Sequence, residues 1–80
     1  MKKKRLAILG STGSIGTQAL KVVSQHPDLF EVEILSAHAN DKLLVEQAIK
    51  YQPNAVVVTD SQAYVKVKSA LSNTDIKVFE

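Results

Sequence analysis

Three glycines, spaced three residues apart, lie between an apolar run and a helical pattern. The stretch reads "LAILGSTGSIGTQALKVV", and its glycines are Gly10, Gly13 and Gly16. Gly10 permits a tight turn at the strand end, because glycine adopts backbone angles closed to other residues. Gly13 lets a ligand approach the backbone, and Gly16 lets the helix pack close to the sheet. The unpaired N–H groups at the helix start then favour a phosphate or pyrophosphate.

The residues between the glycines indicate which kind of phosphate site this is. Hydroxyl side chains, predicted to add donors to the site, fill three of these positions: Ser11, Thr12 and Ser14. A loop of the GxxxxGK[ST] type is excluded, because the residue five positions after Gly10 is Ile15 and no lysine follows. The spacing is GxxGxxG, a variant of the GxGxxG turn that binds dinucleotides. A turn that serves packing alone is the alternative, and it explains Gly16 but not Gly13.

The end of the second predicted strand indicates which dinucleotide is bound. In NAD-specific folds an acidic residue there binds the ribose 2′-hydroxyl. Here residues 35–40 read "LSAHAN", with Ser36 and His38 at the expected place and Lys42 close behind. Small, hydroxyl and basic side chains tolerate a 2′-phosphate, which a carboxylate would repel. The sequence therefore favours NADP(H) over NAD(H), and a loop histidine without a ligand is the alternative interpretation of His38.

Strand and helix patterns alternate along the chain. Apolar runs predict four strands, at 6–9, 31–35, 55–59 and 76–79. Helical stripes between them predict three helices, the first beginning at Ser14 and the second capped by Asn40 or Asp41. The predicted inner stripe of the first helix is Ile15, Ala19, Val22 and Val23.

This alternation predicts an α/β protein. We expect a Rossmann-like parallel sheet with helices on both faces, in the order βαβαβαβ. The order is incomplete, because such a sheet normally has about six strands. Residues 1–80 are therefore expected to be the N-terminal part of an NADP-binding Rossmann-like domain in a longer protein.

Charge and composition narrow the classes of partner. Four of the ten basic residues lie at positions 2–5, so acidic residues outnumber basic ones in the rest of the chain. We interpret positions 2–5 as a solvated lead-in to the first strand, since a nucleic-acid-binding protein should carry a basic face spread over the fold. No segment approaches the roughly 18 apolar residues of a membrane span, and cysteine is absent. We expect a cytoplasmic protein that binds neither nucleic acid nor membranes.

The glycine turn and the segment after it resemble one enzyme family. The strings "ILGSTGSIGTQAL" and "HPDLFEVEILSAHAN" are similar to the opening of the 1-deoxy-D-xylulose 5-phosphate reductoisomerases. The resemblance covers all 80 residues, which correspond to the front of that family's nucleotide-binding domain. It implies that the parent protein rearranges and reduces 1-deoxy-D-xylulose 5-phosphate to 2-C-methyl-D-erythritol 4-phosphate in isoprenoid biosynthesis. It also implies NADPH as cofactor, Mg²⁺ or Mn²⁺ on the oxygens of the phosphosugar substrate, and a homodimer.

The resemblance also implies which residues bind the cofactor. In the turn they are Gly10, Thr12, Gly13, Ser14, Ile15 and Gly16, around the pyrophosphate and adjoining groups. After the second strand they are Ala37, His38, Ala39 and Asn40, around the adenosine 2′-phosphate. Many members have glycine and then a basic residue where this chain has His38 and Ala39, so His38 or Lys42 would take over that contact. Catalytic and metal-binding residues are expected beyond residue 80, in catalytic and C-terminal domains outside this chain.

Two other interpretations stay open at this point. One is that the chain is part of another NADP-dependent oxidoreductase, of the semialdehyde dehydrogenase or epimerase type. Those families tend to use an alanine-threonine-glycine turn, so Ser11 and the Ser14-Ile15 pair argue against them. A non-catalytic nucleotide-sensing module, which would bind the cofactor without reacting, is the third interpretation.

Overall fold

Four strands and three helices alternate along residues 3–80, the part of the chain that the computed structural model describes. In chain order they are β1 (Lys4–Ile8), α1 (Ser14–Gln25), β2 (Phe30–Ala37), α2 (Asp41–Tyr51), β3 (Ala55–Val58), α3 (Ser61–Ala70) and β4 (Lys77–Phe79). The predicted order βαβαβαβ is confirmed. Two boundaries bear on the site: α1 begins at Ser14 as predicted, and β2 continues two residues beyond its predicted end.

The strands form one parallel sheet in the order β1-β2-β3-β4. One row of the register places Ile8 beside Leu35, Leu35 beside Val56, and Val56 beside Val78. The side chains of successive residues point to opposite faces of a sheet, so this row lies on one face. Leu35 and Val56 are completely buried, which identifies that face as the one the helices cover.

All three helices lie on this one face. The strand order is sequential, so each right-handed crossover places its helix on the same side of the sheet. The contacts agree, since α2 packs against both β2 and α3, and the Tyr51 hydroxyl of α2 donates to the Leu20 carbonyl of α1 at 3.0 Å. The predicted Rossmann-like parallel sheet is confirmed. The expectation of helices on both faces is corrected, because the three helices within residues 3–80 cover only one face of the sheet.

The core fills the space between the helices and the covered face. Its completely buried apolar side chains are Leu35, Leu44, Ala48, Val56, Val58 and Val67. On the strands they alternate with half-buried residues such as Ile34 and Val57, which face the uncovered side. This core holds the strand ends in fixed positions. The glycine turn follows the end of β1, and residues 37–40 lie at the end of β2.

The inward face of α1 differs from the predicted stripe. Gly16, Leu20 and Val23 are buried, whereas the Ile15 side chain is 85% exposed and Val22 is 50% exposed. The physical reason is that α1 packs against the turn at Gly16, where there is no room for a Cβ, and this contact places Gly16 on the inward face of the helix. Ile15 is therefore turned outward beside the glycine turn.

The basic start of the chain is partly strand. Lys4 and Arg5 are exposed to solvent, as expected, but they belong to β1, which begins two residues before its predicted start; Lys2 lies outside the described residues. Arg5 Nε donates to Glu31 Oε1 of β2 at 3.2 Å. Both side chains are exposed, and ion pairs at such sites contribute little stability.

Candidate nucleotide-binding site

The parallel sheet brings the two predicted segments to one edge. The N–H of Gly10 donates to Ser36 Oγ at 3.0 Å, and the N–H of Ser11 donates to the Ser36 carbonyl at 2.8 Å. His38 follows two residues after Ser36. The glycine turn and residues 37–40 are thus neighbours at the carboxyl ends of β1 and β2. Open α/β sheets bind ligands at this edge.

Two of the three glycines are required by the backbone itself. Gly10 has φ +67°, a left-handed conformation that L-residues rarely adopt. A Cβ on Gly16 would overlap the Gly10 carbonyl oxygen and lie 2.6 Å from Ser11 Cα. The predicted roles of Gly10 in the turn and of Gly16 in close packing are confirmed.

Gly13 is different, because the protein itself leaves room for a side chain there. A Cβ on Gly13 would lie 3.4 Å from the Gly10 carbonyl oxygen, the limit of ordinary van der Waals contact. Its φ of −80° and ψ of 176° suit any residue. Packing therefore does not explain why this position holds a glycine. That Gly13 allows a ligand to approach the backbone remains a prediction.

The start of α1 carries amides that no side chain caps. The N-cap is Gly13, whereas Asn40 caps α2 by accepting from the Leu43 N–H and Asp60 caps α3 by accepting from the Ala63 N–H. Within residues 3–80 the N–H groups of Ser14 and Ile15 have no hydrogen-bond partner. The first turn of α1 also lacks an acidic residue. The positive end of the helix dipole is therefore open to an anion.

Ser11 faces the protein interior instead of a ligand. It is completely buried, and its Oγ donates to Gln47 Oε1 at 2.7 Å. Gln47 Nε2 donates back to the Ser11 carbonyl at 2.8 Å. The prediction that Ser11 adds a hydroxyl donor for a phosphate is wrong, because α2 already engages that hydroxyl. Thr12 and Ser14 make no side-chain hydrogen bond to the described residues, so their hydroxyls are available.

Gln47 is the residue of the site that the sequence analysis missed. It is 6% exposed on the inner face of α2, between Leu44 and Ala48, and its two bonds fix the start of the glycine turn. A polar side chain on the apolar stripe of a helix was the available signal, since buried polar groups need partners.

Replacing Gln47 by leucine is expected to loosen the glycine turn. The substitution leaves the buried Ser11 carbonyl without a partner, at about 1–3 kcal/mol. It also removes the shorter of the two bonds of the Ser11 hydroxyl, which keeps only its 3.3 Å bond to the Ser36 carbonyl. Amide hydrogen exchange of the full-length protein, followed in peptides that cover residues 6–23, should show opening made easier by about 2 kcal/mol. The matched control is Gln18→Leu on the exposed face of α1, which should leave exchange unchanged. Equal exchange in both variants would show that the Gln47 bonds do not hold the turn.

The segment after β2 is fixed by its backbone and by α2. The Thr59 N–H donates to the Ala37 carbonyl at 3.2 Å, and the Asp60 N–H donates to the His38 carbonyl at 2.9 Å. The Ala37 side chain is buried, so only its backbone can reach a ligand. The Asn40 side-chain oxygen is used to cap α2, which leaves its amide nitrogen as the available donor. His38 is exposed, and its Nδ1 lies 2.7 Å from Thr59 Oγ1.

A cavity of about 440 Å³ lies at the opposite edge of the sheet. Its lining includes Lys3, Pro27, Phe30 and Gln52, from the amino ends of strands and the carboxyl ends of helices. This lining includes no exposed amides at a helix start. It therefore provides fewer hydrogen-bond donors for a phosphate than the open edge beside α1 does. The glycine turn remains the candidate site.

A parallel α/β sheet with a glycine turn that leads into an uncapped helix defines the Rossmann-like class of nucleotide-binding domains. Within this class, residues 6–80 match the family model of 1-deoxy-D-xylulose 5-phosphate reductoisomerase. The chain belongs to this family.

Relatives and solved structures agree with the family. The chain is 56% identical over 77 residues to the 1-deoxy-D-xylulose 5-phosphate reductoisomerase of Phocaeicola vulgatus, covering 96% of this chain and 20% of that protein. It is 54% identical to that of Bacteroides thetaiotaomicron, covering 98% of this chain and 20% of that protein. The Zymomonas mobilis enzyme in complex with NADPH superposes with a TM-score of 0.91 at 28% identity, over 98% of this chain and 21% of that one.

A further solved reductoisomerase, in complex with NADPH, fosmidomycin and magnesium, superposes with a TM-score of 0.89 at 26% identity. It is matched over 95% of this chain and 19% of its own. The present chain thus spans about a fifth of the length of the curated relatives it matches.

Proposed function

We propose that this chain is the NADPH-binding portion of a 1-deoxy-D-xylulose 5-phosphate reductoisomerase. The full-length protein rearranges 1-deoxy-D-xylulose 5-phosphate and reduces it to 2-C-methyl-D-erythritol 4-phosphate in isoprenoid biosynthesis. Residues 1–80 are the N-terminal part of its NADP-binding domain, and the catalytic and C-terminal domains lie outside this chain. The observation that carries the proposal is the uncapped start of α1 at Gly13. Packing within the protein does not explain why this residue is a glycine.

The turn binds the pyrophosphate of the cofactor. The free N–H groups of Ser14 and Ile15 donate to phosphate oxygens, and the helix dipole stabilises their charge. The hydroxyls of Thr12 and Ser14 add donors. Gly13 lets the pyrophosphate approach the backbone, while Gly10 and Gly16 shape the turn. NADPH, when bound, supplies the hydride for the reduction; these residues bind and orient it.

The exposed Ile15 side chain supplies an apolar contact at the mouth of the turn. It is 85% exposed next to amides that bind charge, an unfavourable place for a large apolar group in water. The rings of a dinucleotide offer apolar surface that would cover it. This contact agrees with a ligand longer than a single phosphate.

Residues 37–40 bind the adenosine end. His38 and the amide nitrogen of Asn40 face the 2′-phosphate, and Ala37 and Ala39 contribute backbone groups. A carboxylate does not occupy the end of β2, where one would select the ribose 2′-hydroxyl of NAD.

The divalent metal and the phosphosugar substrate are bound by parts of the protein outside this chain. Within residues 3–80 there is no group of three or more His, Cys, Asp or Glu side chains that could hold a metal ion. We therefore assign Mg²⁺ or Mn²⁺ no ligand here and no step that uses these residues.

The remaining parts of the proposal concern assembly and location. We propose that the full-length protein is a homodimer, works in the cytoplasm and does not bind nucleic acid. Acidic residues outnumber basic ones after position 5, which supports the last point. Among the described helices, none has the length and apolar character needed to cross a membrane.

A preference for NADPH over NADH tests the proposal. With 1-deoxy-D-xylulose 5-phosphate as substrate, we expect the full-length protein to show kcat/KM about ten- to a hundredfold higher with NADPH, because a charged 2′-phosphate contact contributes about 1.5–3 kcal/mol. Similar kcat/KM with both cofactors would contradict the assignment of residues 37–40. Cofactor binding without turnover would favour the nucleotide-sensing interpretation instead.

A further inference from the structure

The imidazole of His38 is held in place by a neighbouring strand. His38 Nδ1 lies 2.7 Å from Thr59 Oγ1, the first residue after β3. Two backbone hydrogen bonds tie the same two segments together, from Thr59 to Ala37 and from Asp60 to His38. The side-chain bond therefore joins two rigid pieces of backbone and fixes the ring.

We propose that Thr59 is a positioning residue that sets cofactor specificity by orienting His38 toward the 2′-phosphate of NADPH. The inference rests on the proposed function. It adds a residue from β3, outside both the glycine turn and the segment after β2. It also assigns the 2′-phosphate contact to His38 Nε2, the ring nitrogen that has no hydrogen bond to the described residues.

A hydroxyl is suited to this position because it both donates and accepts. When it donates to Nδ1 of a neutral ring, the ring proton is on Nε2, which then donates to a phosphate oxygen. When the ring is protonated, Nδ1–H donates to the hydroxyl oxygen and Nε2–H still faces the phosphate. The Thr59 hydroxyl can thus bond Nδ1 while Nε2 is a donor, whether the ring is neutral or protonated.

The charged groups nearby do not replace this pair. The Asp60 carboxylate is occupied at the start of α3, where its Oδ2 accepts from the Ala63 N–H at 2.9 Å. Asp41 and Lys42 lie in the first turn of α2, and the Lys42 side chain is exposed without a hydrogen bond to the described residues. Lysine on a flexible stem binds phosphate as a point charge, whereas His38 is already oriented.

Both Thr59 and His38 are exposed, so their bond is not required to bury either side chain. Valine has nearly the shape of threonine and lacks the hydroxyl. Thr59→Val should therefore leave the fold intact and release the ring. This separates a positioning role from a structural one.

The test measures the Kd of NADPH and of NADH for the full-length protein. We expect Thr59→Val to raise the Kd of NADPH about tenfold and to leave that of NADH unchanged, since one charge-assisted hydrogen bond is affected. Thr59→Ser, which restores the hydroxyl, should return the Kd of NADPH to within about twofold of the wild type. In a His38→Ala background, Thr59→Val should have no further effect, because the two residues act as one unit.

Several outcomes would overturn the inference while the proposed function stands. One such outcome is that Thr59→Val raises the Kd of NADPH and that of NADH equally, and another is that it changes neither Kd. The NADPH preference could instead disappear in Lys42→Met and persist in His38→Ala, which would assign the contact to Lys42. A wild-type protein that binds neither cofactor would contradict the proposed function itself.

Discussion

Replacing Gly16 by alanine is expected to displace the glycine turn from α1. The new Cβ would overlap the Gly10 carbonyl oxygen and lie 2.6 Å from Ser11 Cα and 2.9 Å from its carbonyl carbon. All of these atoms belong to backbone, so no side chain can rotate away, and we expect a cost at the upper end of the range of about 1–3 kcal/mol that overpacking has. Hydrogen exchange in peptides 6–23 of the full-length protein should rise accordingly, and NADPH binding should be lost with it.

Gly13→Ala is the matched control for this prediction. Its Cβ would lie 3.4 Å from the Gly10 carbonyl oxygen, and its backbone angles suit alanine. We expect a cost of about 1 kcal/mol, the difference between glycine and alanine at an N-cap. If Gly16→Ala were no more destabilising than Gly13→Ala, the close contact between α1 and the turn would not exist in solution.

Replacing Gly13 by valine is expected to abolish NADPH binding while the apo protein stays folded. The branched side chain would occupy the space through which the pyrophosphate reaches the free N–H groups of Ser14 and Ile15. A titration of the full-length protein with NADPH should show affinity at least about a hundredfold lower, because two or more charge-assisted hydrogen bonds are lost.

The control for Gly13→Val is the protein without cofactor. Hydrogen exchange across α1 should change by no more than about 1 kcal/mol, as expected for a residue that only caps a helix. NADPH affinity equal to that of the wild type would remove Gly13 from the site. A large loss of stability would show that packing, not the ligand, requires glycine at this position.

The parts of the fold that could be predicted from the sequence are those with local causes. Hydrophobic periodicity predicted the order of strands and helices. Side chains return to the same face every two residues in a strand and every 3.6 residues in a helix, so each element leaves its own pattern of apolar residues. Turn chemistry predicted the roles of Gly10 and Gly16, which depend on backbone angles and contacts within seven residues. These predictions needed no knowledge of distant contacts.

The parts that could not be predicted depend on distant or three-dimensional contacts. The orientation of Ser11 is decided by Gln47, 36 residues further along the chain. The rotation of α1 is decided by how closely Gly16 approaches the turn, which turned Ile15 outward instead of into the core. The one-sided placement of the helices follows from the strand order, and hydrophobic periodicity does not contain that order.

The central claim is that the free amides at the start of α1 bind the pyrophosphate of NADPH. A crystal structure of the full-length protein with NADPH tests it most directly. We predict phosphate oxygens about 3 Å from the backbone nitrogens of Ser14 and Ile15, within hydrogen-bond distance. A dinucleotide bound elsewhere, with these amides facing solvent or covered by packed side chains, would contradict the account.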